Sequence, residues 1–301
     1  MHDILVLCPM GIDIGLISKA AELGSVQALV PQFQWEEAAK YGAELVYTLA
    51  DHIRISDESD FALYLAKRIR IWQPKIVLAP ATIQMRGIMS ALAWYLGAGL
   101  TADCTGLSIE NGKFLQTRPA FGNGLLANIV TESAVTLATV RPGIFTPKEK
   151  QCVAQIDCLS DYLGSPRVEH IESRLFTNGI PLSQAELIIA GGLGVGSREG
   201  FTELEKLAEK LGGAVAASRS AVDAGFAPYS IQVGMTGVTV CPKIYIAVGI
   251  SGAVQHLAGM TGAETIIAVN SDPKAQIFDY ADYGLVGDWK QVIPKLLEEL
   301  S

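Results

Sequence analysis

Few of the usual markers of fixed chemistry are present in this chain. Its five cysteines, Cys8, Cys104, Cys152, Cys158 and Cys241, form no C-x-x-C pair. They are too sparse for a disulfide framework, and their odd number fits a reducing compartment, so a cytoplasmic location is expected. The four histidines are scattered, with no H-x-x-x-H spacing and no neighbouring cysteine pair, which argues against a structural zinc site. Basic charge is scarce: 23 Lys and Arg against 31 Asp and Glu give a net charge of −8. With a pI near 5.1, no basic stripe is available to displace counterions from phosphates, so nucleic acid is not an expected partner. No basic region precedes the apolar run Ile4-Leu5-Val6-Leu7, which therefore reads as a first strand and not as a signal peptide. Mean hydropathy is +0.31. The uncharged stretch Gly87–Ala102 is interrupted by glycines and falls short of the roughly 18 residues a spanning helix needs. It is expected as a buried core helix, with no stable membrane insertion.

What is present is apolar and alternating. Half of the 301 residues are hydrophobic and 18% are charged, which excludes disorder for most of the chain and suits two domains of ordinary size. Ile4–Cys8 reads as a strand, Gly15–Leu23 as a helix, Val26–Val30 as a strand and Trp35–Tyr41 as a short helix. Asp60–Ile71 has the helical period, with Asp60 placed to cap it. Lys75–Ala79 is a near-continuous apolar strand stopped by Pro80, and Arg86–Leu96 is a helix ending at Gly97 and Gly99. Apolar strands separated by helices predict a parallel sheet covered on both faces.

From Thr105 to Phe145 strands follow one another: Gly106–Ile109, Phe114–Thr117, Asn128–Val130 and Val135–Val140. They predict an antiparallel extension of the first domain. Residues 146–184 are more polar, with Pro147, Pro166, Pro181 and Thr177-Asn178-Gly179, and place a boundary near residue 180. The expected organisation is thus an N-terminal α/β scaffold and subunit-interface domain, 1–180, and a C-terminal domain, 181–301. The latter runs strand Leu187–Ala190, helix Phe201–Leu211, strand Ala214–Ala217, strand Lys243–Val248, helix Ser251–Ala258, strands Thr265–Val269 and Leu285–Val286, and a closing helix Asp288–Leu300.

The C-terminal half carries the candidate chemistry. Gly191-Gly192-Leu193-Gly194-Val195-Gly196 lies between a strand and a helix, where small residues let backbone approach phosphate oxygens. A nicotinamide-binding unit calls for Asp or Glu after the next strand, to hold the ribose. Here Ser218-Arg219-Ser220 follows instead, a hydroxyl and a cation suited to an anionic group or an electron-rich ring. Three more small-residue loops have the same look: Gln232–Gly237, Gly249–His256 and Asn270–Pro273. In a doubly wound sheet such loops converge on the crevice beyond the carboxyl ends of the strands. At the single-residue level plainer roles compete: a half-buried His256, a surface ion pair for Arg219, a turn hydroxyl for Thr236, an Asx-turn for Asn270.

The longer motifs resemble a known family, the α subunit of electron transfer flavoprotein. Ser218–Gly225 (SRSAVDAG) is similar to that family's S-R-A-A-V-D-A-G, and Gln232–Gly237 to its Q-V-G-Q-T-G. Tyr245–Gly259 (YIAVGISGAVQHLAG) and Ala281–Gly287 (ADYGLVG) match almost letter for letter, and Gly99–Gly106 and Ala138–Gly143 also resemble family signatures. The resemblance implies an α/β protein of two domains, each on a largely parallel sheet with flanking helices, the C-terminal one doubly wound and FAD-binding. It implies an electron carrier, paired with a β subunit as a heterodimer, that takes electrons from acyl-CoA dehydrogenase-type or similar donors and passes them to a quinone-linked or other redox partner. A bifurcating, NADH-dependent complex and a non-redox nucleotide-binding subunit stand as alternatives.

By matching position the resemblance implies contacts for Ser218 and for Arg219, the latter close to the isoalloxazine ring. Val233, Gly234, Met235 and Thr236 would lie beside the ring, the Thr236 hydroxyl near N5, and Gln232 would also belong to the cofactor site. Ser251, Gly252, Ala253, Val254, Gln255 and His256 would wrap the pyrophosphate and the flavin O2 edge, and Asn270, Asp288 and Trp289 would lie towards the adenosine. Donors and a cation there would favour the negative charge that gathers at N1 and O2 on reduction. Two positions depart from the family pattern. Leu193 stands where an arginine is usual, and Met235 where a glutamine is usual.

Overall fold

The computed structural model describes residues 2–50, 53–120, 125–164, 167–168, 180–182, 184–260 and 262–299. The chain divides into two compact units, Met1–Arg174 and Leu175–Ser301. The boundary read from the sequence, near residue 180, adjoins residues 169–179, which lie outside the described residues together with Pro166.

In the first unit β1 (His2–Leu7), α1 (Ile14–Leu23), β2 (Gly24–Pro31), α2 (Trp35–Lys40), β3 (Ala43–Leu49), α3 (Glu58–Trp72), β4 (Ile76–Pro80), α4 (Ile83–Leu96) and β5 (Gly99–Cys104) follow in order. A hairpin-linked group comes next, β6 (Gly106–Glu110), β7 (Lys113–Pro119) and β8 (Leu126–Ile129), then β9 (Thr136–Val140) and β10 (Gln155–Leu159). Seven strands make one parallel sheet in the order β10-β3-β2-β1-β4-β9-β5, while β6-β7-β8 is antiparallel. The continuous apolar run of β1 follows from its central place. Ile4 and Val6 pack into the core on one face, Leu5 and Leu7 into the core on the other.

Several sequence expectations need correction here. Val135–Val140 is not part of the antiparallel extension: β9 lies between β4 and β5 in the parallel sheet. Strands β3 and β5 were not anticipated, and β10 falls in the stretch read as a polar linker. As an edge strand with four of its five residues exposed, β10 need not be apolar. The cap of α3 is Asp57, not Asp60; its carboxylate accepts from the Ser59 and Asp60 amides at 3.0 and 3.1 Å. Gly87–Ala102 is not one buried helix. α4 stops at Leu96 with Gly97 left-handed (φ 60°), it buries only Met85, Ile88, Met89 and Leu92, and Trp94 faces solvent. Among the described residues no helix is long and apolar enough to cross a membrane.

The second unit contains β11 (Leu187–Gly191), α5 (Arg198–Leu211), β12 (Ala214–Ala217), α6 (Arg219–Asp223), β13 (Ile244–Val248), α7 (Val254–Leu257), β14 (Thr265–Asn270), β15 (Tyr283–Val286) and α8 (Trp289–Glu299). All five strands are parallel in the order β12-β11-β13-β14-β15. Numbered within the unit this is 2-1-3-4-5, a doubly wound sheet whose strand order reverses between β11 and β13. Phe201, Leu204 and Leu207 of α5 and Ile293 of α8 cover one face. Tyr245, Leu257, Met260 and Ile277 pack against the other. The helix expected over Ser251–Ala258 is reduced to the single turn of α7, because Gly252 is left-handed (φ 89°) and packs against the Ile277 backbone. Leu300, expected to end α8, lies outside the described residues.

Candidate functional site

At the reversal point the loops after β11 and β13 are laced together by their backbones. Gly192 donates to the Val248 carbonyl at 2.8 Å and Gly194 to the Gly249 carbonyl at 3.0 Å. A side chain at 192 would run into the Gly249 carbonyl, so the close approach requires glycine. Trp289 of α8 donates from its indole to the Gly194 carbonyl at 3.2 Å and holds this loop from outside. Between these loops lies a cavity of about 620 Å³, in whose wall Gly194, Gly234 and Gly249 stand among larger side chains such as Arg219, Met235 and His256.

Ser218 and Arg219 enter it at the end of β12. Ser218 donates its amide to the Gly191 carbonyl at 2.9 Å, and its hydroxyl accepts from the Ala221 amide at 3.3 Å, capping α6. Arg219 is the only cation among the described residues that line the cavity, and its side chain is 65% exposed. Its Nε stands 3.4 Å from Asp223 Oδ2, so the surface pair and a place on the cavity wall coexist.

The 232–237 loop forms the next wall. Val233 donates to the Ala217 carbonyl at 2.9 Å, Met235 to the Gln255 carbonyl at 2.7 Å, and Val238 back to the Gln232 carbonyl at 2.7 Å. Gln232 is 2% exposed, and its Nε2 donates to Thr236 Oγ1 at 3.0 Å. The Tyr229 hydroxyl donates to the Thr236 carbonyl at 2.8 Å. Gly234 and Thr236 line the cavity, as does Met235, whose thioether side chain is left open to solvent.

His256 is 6% exposed. Its Nε2 lies 3.0 Å from the hydroxyl of fully buried Tyr245, and among the described residues buried Nδ1 has no partner in good hydrogen-bond geometry. Burial pushes the imidazole down to about 4, against a smaller opposing pull from the Val233 carbonyl, so at neutral pH it carries no charge. Burial raises the Tyr245 phenol well above its ordinary value, and it stays protonated. The imidazole is therefore a neutral hydrogen-bonding group here, and Arg219 supplies the fixed positive charge.

Ser251, Ala253 and Gln255 also line the cavity. Among the described residues the Ser251, Gly252, Ala253 and Val254 amides donate to no backbone carbonyl. Consecutive N–H groups without a backbone acceptor are a feature suited to an anion. Asn270 pins this segment: its Nδ2 donates to the Ile250 carbonyl at 2.8 Å while Oδ1 accepts from the Asp272 amide at 3.0 Å. Of the expected residues, Gln232, Gly252, Val254, Asp288 and Trp289 do not line the cavity. Gln232 and Trp289 brace loops that do, and the Asp288 carboxylate accepts from the Lys290 amide at 3.0 Å at the start of α8. Sequence reasoning left out Gly194, Ser220, Gly249, Ile250, Asp272 and Ala275, which the fold adds to the wall. All but Ala275 stand in or beside the small-residue loops already singled out.

Set at a switch point and lined by one guanidinium, by Gly194, Gly234 and Gly249, and by Ser251 and Ala253 of the amide strip, this crevice defines a nucleotide-cofactor-binding domain. Residues 181–261 match the electron transfer flavoprotein FAD-binding domain, and residues 12–157 match the electron transfer flavoprotein domain. An electron transfer flavoprotein subunit alpha from Thermoanaerobacterium thermosaccharolyticum is 40% identical over 275 residues, covering 88% of this chain and 83% of that one. The protein FixB of Clostridium saccharobutylicum is 41% identical over 276 residues, 83% and 79% of the two chains. Subunit LctC of the lactate dehydrogenase (NAD(+),ferredoxin) of Acetobacterium woodii is 39% identical over 299 residues, 94% and 71%. The chain belongs to the electron transfer flavoprotein alpha-subunit family, and its cofactor is FAD. The residues present fit that group: the Ser251 and Ala253 amides, which donate to no backbone carbonyl among the described residues, belong to residues that line the cavity and suit the pyrophosphate, and Arg219 adds a cation to the same wall.

Proposed function

We propose that this chain is the FAD-holding alpha subunit of a heterodimer with an electron transfer flavoprotein beta subunit. It relays electrons between a dehydrogenase of the acyl-CoA type or similar and a quinone-linked or other redox partner. The observation that carries this reading is the switch-point cavity of about 620 Å³, which unites Arg219, Thr236, Ser251 and His256 on one wall system. Bound there, FAD supplies reversible uptake of electrons at its ring. The chain's own residues bind and orient: the Ser251 and Ala253 amides hold the pyrophosphate, and the Asn270 amide keeps that segment in place through the Ile250 carbonyl. Arg219 and the Thr236 hydroxyl face the ring, where a preorganised cation and donor favour added negative charge. Val233 and Ile250, both buried, limit water on the inner side. No acid–base pair or nucleophile is needed for such a relay, and Asp272, which lines the cavity, is engaged by the Lys274 amide at 2.9 Å.

Similarity to LctC over 94% of this chain favours a second reading, membership of a bifurcating complex that couples NADH to a separate acceptor. The test is the visible spectrum of the chain co-purified with its partner, before and after dithionite. Flavin bands that bleach are expected. A colourless, nucleotide-loaded dimer would overturn the proposal, and a second flavin in the partner subunit would favour bifurcation.

A further inference from the structure

Thr236 presents a hydroxyl whose direction is not its own to choose. Its oxygen accepts from Gln232 Nε2 at 3.0 Å, and Gln232 is 2% exposed. The backbone that carries the glutamine is held in place. Its carbonyl is tied to Val238 N at 2.7 Å, and the Val233 amide beside it is tied to Ala217 O at 2.9 Å. Gly237 lies so close that a side chain there would strike the Gln232 carbonyl. At the other end the Tyr229 hydroxyl holds the Thr236 carbonyl at 2.8 Å. A hydroxyl carries one proton and two lone pairs. With a lone pair taken by the amide, the proton is turned away from Gln232 and is left for a partner other than the glutamine, on a residue that lines the cavity.

We propose that Gln232, which does not itself line the cavity, is a positioning residue that fixes Thr236 as a hydrogen-bond donor to the bound ring. The proposal rests on the reading of this cavity as the flavin site with Thr236 beside the ring. A fixed donor aimed at atoms that grow more negative on reduction favours the reduced state without reorganisation. The glutamine thus acts on the redox equilibrium through a neighbour's proton, with no contact of its own to FAD.

The test is a double-mutant cycle on the assembled holo-complex, read by the ratio of reduced to oxidised FAD at fixed potential and by the flavin spectrum. Gln232→Met keeps chain length and removes the amide; Thr236→Val removes the hydroxyl; the pair is combined, and Thr236→Ser serves as the conservative control. We expect Gln232→Met to shift the ratio towards oxidised FAD by up to about tenfold, the scale of one hydrogen bond. That shift should persist in the Thr236→Ser background and vanish in the Thr236→Val background, because the residues act as one unit. An undiminished shift in the Thr236→Val background would overturn the positioning role while leaving the flavin reading intact. A Thr236→Val protein whose ratio and spectrum match the wild type would overturn both, since Thr236 would then not face the ring. If Gln232→Met fails to fold, Gln232→Leu enters the same cycle with the same outcomes.

Discussion

At the scale of single residues the site is governed by one cation and by where burial forbids a second. His256 illustrates the rule. Its folded-state value, about 4, lies below the ordinary 6.5, so above 6.5 neither folded nor unfolded chain charges the ring and it has no effect. As pH falls from 6.5 towards 4 the unfolded chain takes up the proton and the folded chain does not, so stability declines across that window. The full penalty is roughly 3 kcal/mol. A His256→Gln variant should lack this component, seen as a smaller loss of denaturant stability between pH 7 and pH 4 than in the parent. Leu193 makes a complementary case. It is 54% exposed and lines the cavity where the family pattern has arginine. Leu193→Arg should slow FAD loss by about tenfold, one charge-assisted contact discounted for solvent at an exposed mouth. Dissociation followed by flavin fluorescence would show it, and unchanged or faster loss would remove the residue from the phosphate side.

At the scale of elements, the loops after β11 and β13 are the part most sensitive to substitution. Gly192→Ala should distort their lacing through Gly249 and cost about 2–4 kcal/mol, with loss of FAD retention, because backbone has little room to yield. Equilibrium denaturation alongside FAD content would measure it. This sensitivity also separates what could be read locally from what could not. The glycine loop, the Ser218-Arg219 step and the Asn270 loop were visible as small-residue punctuation at strand ends. The helix expected over Ser251–Ala258 is shortened to Val254–Leu257, because the left-handed Gly252 packs against Ile277, a residue distant in sequence. The edge strand β10 escaped notice since exposed positions carry no apolar alternation. The resemblance implies a cofactor contact for Gln232, and the fold shows its amide donating to Thr236, a contact set by tertiary structure.

At the scale of the whole molecule the chain is two compact units, and every residue lining the large cavity belongs to Leu175–Ser301. Calorimetry of the chain should therefore resolve a transition that FAD raises and another that it does not. Ligand at a hundred times its dissociation constant adds about 2.7 kcal/mol to the unit that binds it. A uniform rise of the entire profile would show that the units unfold as one. The sequence by itself determined the α/β class, the parallel sheets and the segments that bear on the cofactor, because strand burial on two faces imposes continuous apolar runs and phosphate-approaching backbone demands small residues. Tertiary structure alone decided the 2-1-3-4-5 strand order, which glycine loops meet at its reversal, and that burial keeps His256 neutral beside a charged Arg219. Strand order, burial and hydrogen-bond partnership are properties of residues far apart in the chain, and no local pattern encodes them.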